Sequence, residues 1–251
     1  MVRDWRKTAV VLKEKMGLKS DPIGVSLSES SQSSGKHAVD TTVCHMLLRS
    51  RHDREEGVLH AVAADMRCVW GAAALGLMSS PPRLKEGMLY LGFVADLESG
   101  KNLHGQMGML GDESKRFQEL TTFPLELAPM DPDAVVMYMT PGQALRVIIA
   151  ALHLKGGAIS TPMTGQASVC ASIARAVGEG RISVDIPCIG DRKMGLVGDD
   201  ELVVVLPSTG LDDFMVGLER TDYMARYPYT PYTSWSPSLP PMFTPMPNEL
   251  E

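Results

Sequence analysis

The fold class is decided by the stretch Cys170-Ala171-Ser172-Ile173-Ala174-Arg175-Ala176-Val177-Gly178-Glu179-Gly180 and the two segments that follow it. Its small and apolar residues predict a helix that begins at Cys170 and ends at the glycines. Residues 181–186 then predict a strand, and Asp199-Asp200 a turn into the strongly apolar strand 201–206. Helices that alternate with strands in this way are typical of the α/β or α+β class.

The rest of the chain shows the same alternation. Helices are predicted at residues 4–16, 43–51, 68–77, 144–154 and 211–218. Strands are predicted at residues 22–27, 58–64, 88–93, 123–128 and 134–139. Residues 99–112 contain no convincing pattern of either kind. We therefore expect a mixed sheet with helices.

A second cysteine also precedes a helical pattern. The stretch is Cys68-Val69-Trp70-Gly71-Ala72-Ala73-Ala74-Leu75-Gly76-Leu77, and it follows the apolar segment 58–64 and a short connector. The helix that begins at Cys170 likewise follows the apolar segment 158–161 and a connector. The pattern predicts an internal duplication of a strand–loop–Cys–helix unit, although the two units share little sequence identity.

Domain organisation follows from where the proline content changes. Residues 1–226 are expected to form a single α/β domain. Residues 227–251 are dense in proline and contain aromatic side chains, among them Tyr232 and Trp235. Proline at this density cannot form a helix or a central strand, and a disordered tail is normally poor in aromatic residues. We expect this tail to pack on the domain or on a neighbouring subunit of a homo-oligomer.

Composition and charge exclude several classes of function. The chain has 251 residues and a formal net charge of −6, with no dense Lys/Arg stripe, so we expect no nucleic-acid partner. No apolar run is long enough for a membrane span, and charged residues near the start, such as Arg3 and Asp4, interrupt any signal-peptide core. We expect a cytoplasmic protein, whose cysteines stay reduced.

The four cysteines are candidates for a single site. Besides Cys68 and Cys170, Cys44 precedes a helical segment and Cys188 follows a predicted strand. A thiol at a helix start faces unpaired backbone N–H groups, which favour the thiolate that attacks electrophiles or binds metal. Against this, any single free cysteine is more often a small buried hydrophobe.

A second motif is Pro187-Cys188-Ile189-Gly190-Asp191-Arg192. Arg192 in a tight loop can present a fixed guanidinium to a carboxylate or phosphate. The alternative is a turn in which Asp191 caps the backbone and Arg192 points to solvent. Sequence motifs for a helical zinc hydrolase site (His-x-x-x-His) and for a serine nucleophile elbow (Gly-x-Ser-x-Gly) are absent from the chain.

These motifs resemble an archaeal and bacterial family catalogued as domain of unknown function 169. The resemblance rests on Cys44 with its following helix, on the Cys-x-x-Gly-Ala-Ala-Ala-Leu-Gly-Leu stretch from Cys68, and on Gly190-Asp191-Arg192 followed by Asp200-Glu201. It covers residues 12–218 and leaves the proline-rich tail outside. It implies a cytoplasmic α/β protein whose cysteines and Gly-Asp-Arg loop form a shared site, and it supplies no reaction.

The leading hypothesis is an enzyme with an iron–sulfur cluster, [4Fe-4S]. Its thiolate ligands are Cys44, Cys68 and Cys170, with Cys188 as fourth ligand or neighbour; zinc is the alternative metal. Three ligands leave an open iron that acts as a Lewis acid on a small anionic substrate, in a lyase, hydratase or desulfurase type of reaction.

In this hypothesis the remaining roles fall to three polar residues. Arg192 clamps the substrate carboxylate, and Asp191 or His45 moves a proton. Two other classes of function stay open. One is a non-catalytic protein that binds a small anion at Arg192 and whose cysteines are structural. The other is an enzyme that uses Cys68 or Cys170 as a nucleophile, with a histidine as base.

Overall fold

One mixed sheet organises the protein, whose computed structural model describes residues 3–31 and 34–229. Seven strands lie in the order β2-β3-β4-β1-β5-β7-β6. The pair β2–β3 is parallel and the other pairs are antiparallel. The strands are β1 (Ile23–Ser28), β2 (Lys36–His37), β3 (Leu59–Val62), β4 (Glu119–Pro124), β5 (Ala134–Met139), β6 (Ser183–Asp185) and β7 (Leu202–Pro207).

Helices connect and cover these strands, so the α/β class predicted from the sequence is confirmed. Within the described residues there are ten α-helices: α1 (Trp5–Met16), α2 (Val43–His52), α3 (Val69–Ala74), α4 (Pro82–Lys85), α5 (Leu97–Gly105), α6 (Pro141–Leu152), α7 (Ser168–Glu179), α8 (Ile189–Met194), α9 (Leu211–Arg220) and α10 (Asp222–Ala225). Asp4, Thr42 and Thr140 cap α1, α2 and α6 through side-chain oxygens, as is typical of helix starts.

The central strands separate two hydrophobic cores. Along β5, Val136 and Tyr138 belong to the core that contains residues of α2, α3 and α7, whereas Val135 and Met137 belong to the core that contains residues of α1, α6 and α9. This alternation is the two-residue period of a strand buried on both faces. We call the first side of the sheet the thiol face, because Cys44 and Cys170 lie in its core, and the second side the opposite face.

The predicted strand at residues 88–93 is wrong. A 3-10 helix, Met88–Tyr90, lies there and is followed by a turn. Gly87 (φ 83°) and Gly92 (φ 99°) adopt left-handed backbone conformations that interrupt an extended segment. The helix α5 was not predicted, because its glycines and polar residues weaken the helical pattern. The cap at Asp96, whose side chain accepts a hydrogen bond from the Ser99 N–H, marks its start.

Other boundaries shifted by a few residues. β4 ends at Pro124, earlier than the predicted strand 123–128, because a 3-10 helix (Leu125–Leu127) follows. The apolar segment before Cys68 contains β3, whereas residues 158–161 before Cys170 are irregular. The internal duplication therefore stays a prediction.

The predicted tail falls mostly outside the described residues, which end at Tyr229. Of its first residues, Tyr227 packs on the domain. A Cβ atom added at Gly17 would lie 3.2 Å from the Tyr227 ring, and one added at Gly142 would lie 3.3 Å from it. The single-domain boundary at residue 226 and the packing of residues 230–251 stay predictions.

Candidate functional site

The four cysteines lie at the starts of four helices. Cys44 is the second residue of α2 and Cys170 the third residue of α7. Cys68 and Cys188 are the N-cap residues of α3 and α8. All four line one cavity of about 270 Å³, which we call the thiol cavity. The fold thus brings together thiols that are far apart in the sequence.

Two glycines leave space beside the sulfur atoms. A Cβ atom added at Gly71 would lie 3.5 Å from Cys170 Sγ. One added at Gly190 would lie 3.5 Å from Cys188 Sγ and 3.7 Å from Cys44 Sγ. Neither glycine has a positive φ, so the backbone conformation does not require them. An added Cβ at Gly71 would also lie 3.0 Å from Val43, and one at Gly190 3.3 Å from Met194, so both glycines serve close packing as well as the space beside the thiols.

Backbone N–H groups near the two N-cap thiols lower their pKa values and so oppose the effect of burial. These groups are the amides of Trp70 and Gly71 for Cys68, and those of Ser168 and Asp191 for Cys188. A hydrogen bond from an N–H group stabilises a negatively charged sulfur more than a neutral thiol. The starts of these helices therefore provide partners for thiolates.

Asp191 is fully buried beneath the cavity. Its Oδ1 accepts a hydrogen bond from Cys44 Sγ at 3.3 Å, and its Oδ2 accepts one from the backbone N–H of Cys188 at 3.0 Å. Burial raises the pKa of Asp191, although these hydrogen bonds oppose the shift. The carboxyl group thus caps α8, as one of the two interpretations of the motif predicts, and also contacts a thiol.

The thiols have raised pKa values in this arrangement. A hydrogen bond with Cys170, together with burial, raises the pKa of Cys44. The same hydrogen bond lowers the pKa of Cys170, but burial and the neighbouring thiols outweigh it and leave that pKa raised. Burial also raises the pKa of Cys68, and it raises the pKa of Cys188 to about 12. At neutral pH the four groups are protonated unless a cation replaces their protons.

The walls of the thiol cavity include residues that sequence reasoning missed. Trp70, Phe93, Ile189 and Met194 supply apolar surface, and Gln166 and Lys193 supply polar groups. Lys193 is the one charged side chain among the lining residues. The helical period of the 188–194 segment is the signal that points to Ile189, Lys193 and Met194.

Two predicted site residues lie elsewhere. Arg192 Nη1 donates to the Gly198 carbonyl at 2.8 Å and to Asp199 Oδ1 at 3.0 Å, and Arg192 does not line the thiol cavity. His45 is exposed and lines a separate surface cleft beside Lys36. Their proposed roles toward a substrate in the thiol cavity therefore have no geometric support.

Two features are absent from the described residues, 3–31 and 34–229. They contain no group of three or more His, Cys, Asp or Glu side chains placed to hold one metal ion. Every helix among them is too short or too polar to cross a lipid bilayer.

Comparison with known proteins identifies the family. The model of the family described as DUF169, "Uncharacterised ArCR", matches residues 11–216. The chain belongs to this family. A curated relative, an uncharacterized protein of Methanocaldococcus jannaschii, is 29% identical over 227 residues, which cover 87% of this chain and 95% of that protein. No solved structure matches the chain. The resemblance predicted from the cysteine and Gly-Asp-Arg motifs is confirmed.

Proposed function

We propose that this DUF169 protein binds an iron–sulfur cluster, [4Fe-4S], in the thiol cavity, and that it is a cytoplasmic enzyme acting on a small anionic substrate. The reaction is of the lyase, hydratase or desulfurase type. The observation that carries the proposal is the meeting of all four cysteines in one cavity, where Gly71 and Gly190 leave room beside the sulfur atoms. Soft thiolate ligands suit iron–sulfur clusters.

The electrostatics of the site support a bound cationic centre. Four thiols lie together without an arginine among the lining residues, and all four have raised pKa values. Iron ions would replace the thiol protons and bring positive charge directly beside the four sulfur atoms. The backbone amides that lower the pKa values of Cys68 and Cys188 would then help to stabilise the charge on those sulfur atoms.

Zinc is the alternative metal, because four thiolates suit either zinc or an iron–sulfur cluster. A structural zinc ion would need its four ligands to converge tetrahedrally on one point. An assay for acid-labile sulfide distinguishes the two, since only the cluster contains sulfide.

The chain's own residues then have distinct tasks. When bound, a cluster with one open iron supplies a Lewis acid that polarises a substrate oxygen or sulfur. Cys44, Cys68 and Cys170 would hold the group, and Asp191 Oδ1, which accepts a hydrogen bond from Cys44 Sγ, would take the proton of that thiol. Cys188 would be the fourth ligand or a neighbour, and Ile189 and Lys193 of α8 would line the same cavity.

A nucleophilic cysteine is the less favoured alternative. Catalytic cysteines have lowered pKa values and a base within hydrogen-bonding reach. Here the thiol pKa values are raised, and no histidine is among the residues that line the cavity. The other alternative, a non-catalytic protein that binds a small anion, is supported by the presence of Lys193 in the lining of the cavity.

Anaerobic purification with iron and acid-labile sulfide assays tests the proposal. We expect a brown protein with about four iron and four sulfide per chain. A protein that stays free of iron after anaerobic reconstitution contradicts the proposal. In that case, four unreactive thiols favour the binding protein, and one rapidly alkylated thiol favours the nucleophile.

A further inference from the structure

The mouth of the thiol cavity is apolar and open to solvent. Three of the lining side chains are strongly exposed for their type: Phe93 is 54% exposed, Ile189 50% and Met194 37%. Large apolar side chains that are exposed together around a cavity mark a surface that is covered in use. A ligand with a hydrocarbon body would gain about 25 cal/mol for each Å² of this surface that it removes from water.

The inner wall is backed by a buried, hydrogen-bonded row of side chains. Trp70 contacts Tyr90 edge to face, with ring centroids 6.2 Å apart. The Tyr90 hydroxyl is hydrogen-bonded to His104 Nδ1 at 2.8 Å, and His104 Nε2 to Asp112 Oδ1 at 3.0 Å. Tyr90 is fully buried and His104 nearly so. Trp70 therefore packs against a buried, hydrogen-bonded support and presents apolar surface to the cavity, as is typical of ligand pockets.

One cation is available at this mouth. The helix α8 contains two adjacent basic residues. Arg192 donates hydrogen bonds to the Gly198 carbonyl and to the Asp199 carboxylate. Lys193, in contrast, forms no ion pair with any residue in the described part of the chain. An exposed ammonium group without a carboxylate partner can receive an anionic group of a ligand without first breaking an ion pair. Gln166 adds an amide to the same lining.

We propose that the thiol cavity binds a small carboxylic acid with an aromatic or branched aliphatic body. Lys193 receives the carboxylate, and Trp70, Phe93, Ile189 and Met194 cover the hydrocarbon. This inference rests on the proposed function, since it names the substrate class for the same site. In this inference the anion is bound by Lys193, whereas the sequence had predicted Arg192 for that role.

Calorimetric titration of the anaerobically reconstituted protein with phenylacetate tests the inference. The comparison probes are phenylacetamide, which lacks the charge, and acetate, which lacks the body. We expect phenylacetate to bind more tightly than both. Lys193→Met should weaken its binding about tenfold, the loss of one charge-assisted hydrogen bond, and Lys193→Arg should restore most of it. The matched control is Lys155→Met, which removes an exposed lysine paired with Asp213.

The outcomes separate this inference from the proposed function. Iron-loaded protein that binds none of the probes, or that binds phenylacetate equally well after Lys193→Met, overturns the inference and leaves the cluster in place. Loss of binding in Arg192→Met with full binding in Lys193→Met also overturns it. Protein that never takes up iron but binds phenylacetate through Lys193 contradicts the cluster and keeps the carboxylate site.

Discussion

The two faces of the sheet are built differently. On the opposite face, the long helices α1, α6 and α9 bury an almost wholly apolar core. Arg146 is fully buried there; its Nη groups donate to the Thr221 hydroxyl and to the Leu218 carbonyl, and its Nε has no hydrogen-bond partner within the described residues. On the thiol face, the six-residue helices α3 and α8 begin at cysteines, and buried hydroxyls such as those of Tyr138 and Ser172 have no hydrogen-bond partner within the described residues.

We interpret the opposite face as the main source of stability and the thiol face as the site of function. A continuous apolar core contributes most of the stability of a folded domain. Short helices, glycines that leave space, and buried groups without partners cost stability, and such departures concentrate at functional sites. We therefore expect the opposite face to determine whether the chain folds, and the thiol face to determine what it binds. The predictions below test that division.

The largest expected effect is the loss of iron in Cys68→Ser and Cys170→Ser. If both thiols hold the same group, each change should remove most of the iron, and to about the same extent. The control is Ser172→Ala, two residues after Cys170 on α7, where the buried hydroxyl has no partner among the described residues. Iron and sulfide assays check this. Loss confined to one of the two cysteine variants contradicts a shared site.

A core truncation on the opposite face should show the reverse behaviour. Phe214 is 2% exposed and packs in the core with α1 and α6. Phe214→Ala should lower the free energy of unfolding by about 3–5 kcal/mol, because it removes buried contacts and leaves a cavity. Iron content for each folded chain should not change. Urea unfolding and iron assays on the same sample measure both. A proportional loss of iron would show that the two faces are not independent.

The substitution Gly190→Ala should have a smaller effect. It should raise the stability of the metal-free protein and lower the amount of iron that the protein binds. Alanine in place of a helical glycine favours the helix by about 1 kcal/mol, so the metal-free protein should unfold at a slightly higher temperature. The added Cβ would lie among the sulfur atoms of Cys188 and Cys44, so iron content should fall. The control is Gly105→Ala, where nothing lies within 4 Å of the added atom. Equal iron content in both variants contradicts the role of Gly190.

The smallest effect concerns thiol reactivity in the metal-free protein. Raised thiol pKa values mean fewer thiolates at pH 7 than for an ordinary cysteine, whose pKa is about 8.5. Alkylation by iodoacetamide should therefore be slow at pH 7, and its rate should still be rising at pH 9 without a plateau. Mass spectrometry of each cysteine measures this. A cysteine that reacts at its full rate by pH 7 has a lowered pKa and revives the nucleophile hypothesis.

Local signals predicted most of the fold. Helix starts and ends depend on interactions between residues that are close in the sequence. Examples are the N-cap side chains of Thr42 and Thr140 and the C-cap glycine Gly180, which can be recognised from the sequence alone. The failures were segments where that chemistry is weak or ambiguous. Residues 88–93 have the apolar content of a strand, but the left-handed backbone at Gly87 and Gly92 gives a turn.

The site was predictable only in part. The sequence places each cysteine at a helix start, but the cavity that they share depends on how distant helices cross the sheet. The choice between Arg192 and Lys193 depends on the rotation of α8, in which successive residues point about 100° apart. Asp191 in contact with Cys44 is a pairing across 147 positions that no local pattern contains.

X-ray absorption at the iron edge of the anaerobically reconstituted protein tests the central claim most directly. The account predicts a first shell of sulfur around iron and a second shell of iron. A first shell of nitrogen and oxygen without a neighbouring iron would contradict a cluster held by Cys44, Cys68, Cys170 and Cys188.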